Sequence, residues 1–526
     1  MATLTELAAK IPDKEMFPVA IIGAGLGGLM AGACLARNGF PVTVFEKHYK
    51  PGGYATTFSR GDFTFDVSLH ATVATGPPVD FLLEASGVKN RVEAVLLPEL
   101  ASFVTPGRPD LVYPRQEVKN LLPNDPTNYV KEIIASFAAR FPSDAAGIQT
   151  FFGKMMQLLQ TFLKEGMAGL EKDPLSKITL SQFLDECTED PWLKTMLGGF
   201  ISYYGKTPET LPASFYLFST GGLITCGSWY YKRRSQDFTN AFVDVIKEHG
   251  GKVLTKTEVT GVMMEGEAVS GVVCKTNGDK NTASGQAAKA VIANACVPET
   301  MFKLLPAGKV PSDYRERLGA LKPSMSMVNI WLGLNRDISA DIPAYETFVY
   351  DSCDNAANLD AINTCDPERM PYGVTVYNNA YEGYAPPGTS IVSIFARTSY
   401  EPWQAFEAEY VKDHTNASAY QKRKNHIRDV LIERAEKQVI PGLSGMIDEK
   451  VTATPLTNVR FTGNAQGAFL GYSQLFGNSG GSRLKNTCPV DGLYIASAWG
   501  TPGGGYFGVL NGGYDAVCDL MGDLQP

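Results

Sequence analysis

The sequence predicts an α/β protein in which a parallel sheet with crossover helices is interleaved with an α+β portion that contains an antiparallel sheet and a helical lid. Three observations lead there. Near the N-terminus two apolar, β-branched runs, Val19 to Ile22 and Val42 to Phe45, enclose a segment rich in Ala, Leu and Met, the strand–helix–strand order of a parallel unit. From about residue 96 to 235 the chain carries long patterns of helical period. From about Pro311 to Gln474 it turns to short β-rich segments with turns between them. At 526 residues it exceeds one ordinary core, so two intertwined or consecutive domains are expected.

The first unit is the most informative. After the strand at Val19 to Ile22, Gly23, Gly25 and Gly28 stand in G-x-G-x-x-G spacing. The first turns the chain tightly, the second lets backbone approach a pyrophosphate, and the third lets the helix pack closely on the strand. A helix is expected from Leu26 to Asn38 with Gly39 as its stop. Glu46 closes the second strand, 23 residues after Gly23, where a carboxylate accepts the hydrogen bonds of an adenosine ribose. Together these features predict a Rossmann-type dinucleotide-binding unit. The residues beyond Glu46 separate a flavin from a nicotinamide: Gly52 and Gly53 begin six residues past the acid and let backbone pass beside a diphosphate or ribityl chain. A nicotinamide dehydrogenase would proceed directly into another βαβ unit. Here Phe63 to Asp66 reads as a short strand after a turn at Gly61.

Three segments of the helical portion stand out: YVKEIIASFAARF, QTFFGKMMQLLQTFLKEGMAGLEK and ITLSQFLDEC. In the second, Phe152, Met155, Met156, Leu159, Phe162 and Leu163 form an apolar stripe that either packs on a core or faces a membrane or a substrate passage. The segments SMSMVNIWLGL, YETFVYD, YGVTVYNN and TSIVSIFART suggest an antiparallel sheet forming one wall of a cavity. The run from Pro402 to Ile440 is helical and charged on one side, a solvated surface pair.

Composition excludes several classes. A formal charge of −8 without a dense basic stretch argues against a nucleic-acid partner. Nine scattered cysteines without a C-x-x-C pair argue for reduced thiols and against a disulfide framework or zinc site, and the sequon at Asn416 carries no expectation. No apolar run is long enough to span a membrane and no secretory signal is present, which predicts a cytoplasmic protein with at most peripheral membrane contact. No Ser-His-Asp set, H-E-x-x-H motif or carboxylate pair at useful spacing supports a hydrolytic or metal reading.

The combination GAGLGGL, FEK, PGGYATTF and FTFDVSLH resembles the two-glycine-motif FAD flavoproteins, most closely their phytoene desaturase, carotenoid isomerase and retinol saturase branch. Three further blocks agree with the resemblance: hairpin strands from Lys252 to Gly278, KAVIANACVPET from Lys289, and GLYIASAWGTPGGGYFGVLNGGYDAV from Gly492 to Val517. The resemblance implies FAD as cofactor, held by Gly23, Gly25, Leu26, Gly28, Glu46, Lys47, Gly52, Gly53, Tyr54, Val259, Ser497, Gly505 and Phe507. It divides the chain into three cofactor-domain parts, 1–95, 236–310 and 476–526, and two substrate-domain parts, 96–235 and 311–475. One departure stands out. Where the family commonly carries an aspartate for the ribityl chain, this chain has Ala498, so Ser497 or backbone amides near Gly503 to Gly505 are expected to take its place.

Flavin chemistry needs little from the protein beyond cofactor position, substrate orientation and control of charge near the ring. By the resemblance, Tyr506 and Phe507 pass the isoalloxazine and line a channel for a conjugated chain. Arg233 and Arg234 stand where the family often has glycines; they balance an anionic flavin, bind a substrate carboxylate, or form a surface ion pair. His70 lies just beyond the FTFD strand, as a catalyst or as a satisfied structural residue, and Asp66 has the same ambiguity. Three readings result: an FAD-dependent desaturase, isomerase or saturase acting on an apolar isoprenoid, polyene or related lipid; an FAD-dependent amine or small-molecule oxidase, for which Arg233, Arg234, Tyr203, Tyr204, Tyr230 and Tyr231 offer polar tips; and a non-catalytic prenyl or lipid carrier of the GDP-dissociation-inhibitor type. The electron acceptor is unassigned, since no second strand–glycine loop–helix–strand unit exists to hold NAD(P) permanently.

Overall fold

Val19–Ile22 is the central strand of a five-stranded parallel sheet. The order is Leu493–Ile495, Ala290–Ala293, Val19–Ile22, Val42–Phe45 and Lys252–Leu254, with Val19 opposite both Ala290 and Val42. Every residue of the two strands VAII and AVIA is buried, because helices cover one face and the antiparallel strands around Val259, Val262 and Val272 cover the other, leaving no side for a polar alternation. The computed structural model describes residues 3–108, 110–276, 283–342, 345–381 and 383–525.

The helix after the glycine loop is Leu26–Arg37; Asn38 caps it and Gly39, at φ +89°, ends it. Its small residues allow an unusually close neighbour. A Cβ on Gly27 would lie 1.8 Å from the Ala496 carbonyl oxygen, and one on Gly513 would lie 2.3 Å from the Gly27 carbonyl oxygen. The last helix, Tyr506–Asp523, is thereby seated directly on the first unit, although it is the final element of the chain. Thr57–Arg60 and Phe63–Asp66 form the expected hairpin around Gly61, at φ +50°. Thr257–Glu265, Ala268–Thr276 and Ala283–Ala287 form an antiparallel sheet; residues 277 and 278 of the sequence block that ends at Gly278 lie outside the described residues.

The β-rich portion forms the expected antiparallel wall, from Ile447–Ala453 through Ser326–Leu334, Ser390–Thr398 and Tyr372–Val376 to Tyr345–Val349. It is wider than the sequence suggests. Ser102–Val104 joins it in parallel and Leu111–Val112 pairs antiparallel beyond that, making seven strands in a mixed sheet. These two strands have three and two residues, too few to show a period within a segment otherwise helical. The run expected to be a solvated helix pair forms Glu401–Gln404, Glu407–Asp413 and Ser418–Gln438, which bury Trp403, Tyr410, Tyr420, Ile427 and Leu431 in the core on one face of this sheet.

Against the opposite face lie the helices Thr127–Arg140, Ala145–Lys172, Leu180–Cys187 and Ala213–Cys226. Of the predicted apolar stripe, Phe152, Met155 and Leu159 are buried, Met156 and Phe162 are half-buried, and Leu163 is 58% exposed. The stripe therefore begins as core and leaves it just before Gly166, where φ +65° breaks the helix. Among the described residues no helix is long and apolar enough to cross a membrane.

Candidate cofactor and substrate cavity

A cavity of about 1600 Å³ runs from the glycine loop into the space between the helices and the mixed sheet. At its first end Gly23 and Gly25 present backbone with no side chain in the way. Gly23 needs its left-handed φ of +93°, and its N–H donates to the Phe45 carbonyl at 2.8 Å. Gly25 is the N-cap of the helix, so the amides just after it have no helical acceptor and face a lining composed of Gly25, Leu26 and Gly27. Asn294 holds this loop in place: its Nδ2 donates to the Gly23 carbonyl at 3.2 Å. Nothing within the run KAVIANACVPET marks Asn294 for this task, since its partner lies more than 270 residues away.

The Gly52–Gly53 turn lies against the glycine loop. Gly52 N–H donates to the Ala24 carbonyl at 2.7 Å, and a Cβ on Gly53 would stand 3.5 Å from the Gly25 Cα. Glu46 is buried between them; its carboxylate accepts the Ala24 N–H and the His48 N–H, each at 2.8 Å. Both oxygens are thus fixed in direction by backbone, and lone pairs remain on each for a ligand hydroxyl. Lys47, Tyr54 and Val259 line the same end, Tyr54 with its hydroxyl 3.5 Å from the Gly467 and Ala468 carbonyls.

Ser497, Ala498, Gly505, Tyr506 and Phe507 line the next part. Ser497 Oγ accepts the Trp499 N–H at 3.4 Å, and the Ala498 carbonyl accepts from Arg483 at 2.8 Å. Arg483 is fully buried and also donates to the Tyr472 and Gly500 carbonyls at 2.9 and 3.0 Å, so it holds this turn by three carbonyls; burial without a nearby anion pushes its guanidinium down to about 10. Tyr506 donates to Ser235 Oγ at 2.8 Å and lies parallel to Phe238, ring centroids 6.2 Å apart.

His70 also lines the cavity. Its Nδ1 is 3.0 Å from Thr375 Oγ1, its ring lies 4.2 Å from that of Phe395, and burial alone pushes its pKa down to about 3, so the imidazole is neutral at physiological pH. Asp66 stands behind this wall, fully buried: it accepts the Ser235 N–H at 2.9 Å and the Tyr384 hydroxyl, and burial raises its carboxyl above the ordinary range.

Three predicted residues lie elsewhere. Gly28 does not line the cavity; a Cβ there would come within 2.3 Å of the Gly23 carbonyl oxygen and 3.2 Å of Ile21, which fits the third glycine's packing task. Arg233 and Arg234 do not line it either. Arg233 is exposed and pairs with Asp237 at 3.5 Å, one turn along the helix it caps. Arg234, at φ +68°, turns its guanidinium over the Tyr384 ring, 4.6 Å from the centroid, and donates to the Tyr384 carbonyl. The local pull of Asp237 and of the Tyr384 face overrides any reach toward the cavity.

The sheet contributes residues that the sequence does not single out. Met327, Asn329 and Phe395 line the cavity from the mixed sheet, and Ser202, Tyr203, Tyr204, Phe215 and Phe218 line it from the helices. Within SMSMVNIWLGL the one signal of Asn329 is a polar residue in an otherwise apolar stretch of strand.

Comparison with known proteins agrees with this geometry. Residues 21–83 match the family described as NAD(P)-binding Rossmann-like domain. The chloroplastic prolycopene isomerase of Daucus carota is 25% identical, covering 96% of this chain and 80% of its own. The all-trans-retinol 13,14-reductase of Rattus norvegicus is 23% identical, covering 98% and 85%. Among solved structures, an oxidoreductase from Methanosarcina mazei superposes with a TM-score of 0.64 at 17% identity over 95% of this chain and 99% of its own. The cyclohexylamine oxidase of Brevibacterium oxydans does so with a TM-score of 0.59 at 14% identity, over 97% and 100%. The resemblance read from the motifs is borne out over nearly the whole length, and the chain is an enzyme with an oxidoreductase fold and a Rossmann-type dinucleotide unit.

Proposed function

We propose that the protein is an FAD-dependent oxidoreductase that acts on an apolar isoprenoid, polyene or related lipid. One observation carries this reading: the glycine-loop cradle and a chamber lined by Tyr203, Phe215, Phe218 and Phe395 are two parts of one cavity of about 1600 Å³. The fit to FAD rests on the facing glycines at Gly25 and Gly53, the oriented Glu46 carboxylate, and open space at Gly505, where a Cβ would meet nothing within 4 Å. Gly23, Gly25, Leu26, Glu46, Lys47, Gly52, Gly53, Tyr54, Val259, Ser497, Gly505 and Phe507 would hold the cofactor, with Gly28 supporting the loop. When bound, FAD supplies the two-electron exchange. The chain's own part is to orient an extended substrate along Tyr203, Phe215, Phe218, Phe395 and Tyr506 and to exclude water from it.

The named relatives, an isomerase of prolycopene and a reductase of retinol, support the substrate class. The likeness to cyclohexylamine oxidase keeps a small amine as the second reading: Tyr203 and Tyr204 line the cavity, but Tyr230, Tyr231, Arg233 and Arg234 do not. The carrier reading loses support because the phosphate cradle is intact. Desaturation, isomerisation and saturation are separate outcomes of the same site, and its electron acceptor is unassigned. A cytoplasmic protein touching a membrane at its periphery, through the exposed Leu163 at the cavity edge, fits this reading.

The decisive experiment is an absorbance spectrum of the purified protein, then release and mass analysis of its cofactor. Flavin bands with FAD in the supernatant are expected, and Glu46→Ala is expected to lower FAD retention about tenfold. Absence of flavin after incubation with FAD would move the chain to the carrier class.

A further inference from the structure

Behind the cavity wall a buried acid is joined to the cavity by hydroxyl groups. Asp66 is fully buried, and so is Ser235, whose N–H donates to Asp66 Oδ1 at 2.9 Å and whose side-chain hydroxyl bonds to the same carboxyl. Ser235 Oγ in turn accepts the Tyr506 hydroxyl at 2.8 Å. Tyr506 is half-buried and lines the cavity, and Ser68, which lines it too, sets its side chain against the Tyr506 hydroxyl. Asp66 Oδ2 accepts the Tyr384 hydroxyl, and Tyr384 is almost wholly buried, packed against the rings of Tyr377 and Tyr381. Among the described residues the side-chain hydrogen bonds of this carboxyl thus lead to the cavity on one side and end at Tyr384 on the other.

From this chain of groups we infer that Asp66 is the proton store of the site: it takes up one proton through Tyr506 and Ser235 when the bound cofactor is reduced and returns it on reoxidation. The inference rests on the FAD-dependent reading and deepens it. Two opposed pulls poise the carboxyl. Burial favours its protonated form, whereas the donors from Ser235 and Tyr384 and the nearby Arg234 guanidinium favour the ionised one. Its other titratable neighbours, Tyr230, Tyr377 and Tyr506, are phenols that burial keeps neutral. Negative charge arriving in the cavity therefore tips the balance toward the protonated acid.

The transfer balances. In the desaturating direction one substrate carbon gives up a hydride to the flavin, which is the oxidant; the neighbouring carbon gives up a proton, and the electron pair left behind closes the C=C bond. That proton passes to Tyr506 Oη as the Tyr506 proton moves to Ser235 Oγ and the Ser235 proton moves to the Asp66 carboxylate, so both hydroxyls end as they began. In the saturating direction every movement reverses. Tyr506 is the group that meets the substrate, and Asp66 and Ser235 act through it.

The test is time-resolved infrared difference spectroscopy on the purified, FAD-loaded full chain, with the flavin reduced by a light flash in the absence of oxygen. On reduction the native protein is expected to gain a carboxylic-acid C=O band that shifts in D2O, and to lose it on reoxidation. Asp66→Asn is expected to lack the band. In Ser235→Ala and Tyr506→Phe the band is expected to form about a hundredfold or more slowly, timed against the loss of flavin absorbance in the same sample. A native protein without the band, a band retained in Asp66→Asn, or native rates in both hydroxyl variants overturns the inference; should Asp66→Asn fail to fold, the two hydroxyl variants decide it. A chain that takes up FAD and shows no such band refutes the proton store and leaves the cofactor reading standing, whereas a chain that takes up no FAD refutes the cofactor reading and the proton store with it.

Discussion

His70 shows how burial sets the chemistry of a single group. Its folded pKa of about 3 lies below the value of 6.5 it would have unfolded, so the contribution to stability is complete above pH 6.5 and is lost as pH falls toward 3. Between pH 7 and pH 5 this one residue is expected to cost about 2 kcal/mol, and His70→Gln should remove that part of the acid sensitivity in urea titrations at the two pH values. Glu346 has the opposite sign. It is buried on the strand Tyr345–Val349 with Oε1 unpartnered, and burial holds its carboxyl well above 4.5. The unfolded side chain ionises above its ordinary pKa while the folded one stays protonated, so stability is full at low pH and falls as pH rises. Glu346→Gln is therefore expected to be more stable than the native protein at pH 8, with the difference shrinking toward pH 4; equal unfolding midpoints at pH 8 would count against a buried, protonated acid.

At the scale of elements, the glycines divide into those that pack and those that make room. A Cβ on Gly27 would enter the Ala496 carbonyl at 1.8 Å, between the first crossover helix and the strand that ends at Ile495. Backbone cannot move there without parting the sheet from the helix. Gly27→Ala is expected to cost about 3 kcal/mol or more and to lower the thermal midpoint by several degrees even without ligand. Gly53 differs: its φ of +60° strains any side chain, yet the nearest atom to an added Cβ is 3.5 Å away. Gly53→Ala should cost only about 1 kcal/mol in stability, and its larger effect should be on flavin retention, measured as the ratio of visible to ultraviolet absorbance. If both variants lost stability and flavin to the same extent, the distinction between packing and clearance would be wrong. Asn294, just past the strand Ala290–Ala293, braces the same glycine loop by donating to the Gly23 carbonyl.

For the whole molecule, the cavity edge is where an apolar substrate would exchange with its surroundings. Leu163 and Phe476 line the cavity and are 58% and 45% exposed, whereas Met155 and Leu159 on the same helix as Leu163 are buried. Paired changes Leu163→Ser and Phe476→Ser are expected to weaken binding to phosphatidylcholine vesicles several-fold in a flotation assay without bleaching the flavin. Changes at Met155 should instead act through stability, because its side chain is fully buried in the core. Vesicle binding that survives the paired changes would place any membrane contact elsewhere.

The sequence by itself determined the dinucleotide unit, because its signals are local: the apolar run at Val19, the spaced glycines, the stop at Gly39 and the acid at Glu46 all lie within one short stretch. The helical stripe and the β-rich segments were legible for the same reason, each showing its period within its own length. Tertiary structure decided the rest. It turned Arg234 over the ring of Tyr384, 150 residues further along the chain, whereas Arg233 pairs with Asp237 within its own helix, as the surface ion-pair reading allows. It drew Ser102–Val104 out of a helical region into the mixed sheet, through a pairing with Tyr345–Val349 that no local pattern announces. And it set Asn329 opposite Phe395 and the ring of His70 against that same Phe395, residues far apart in the chain that meet only where two strands and a loop come together.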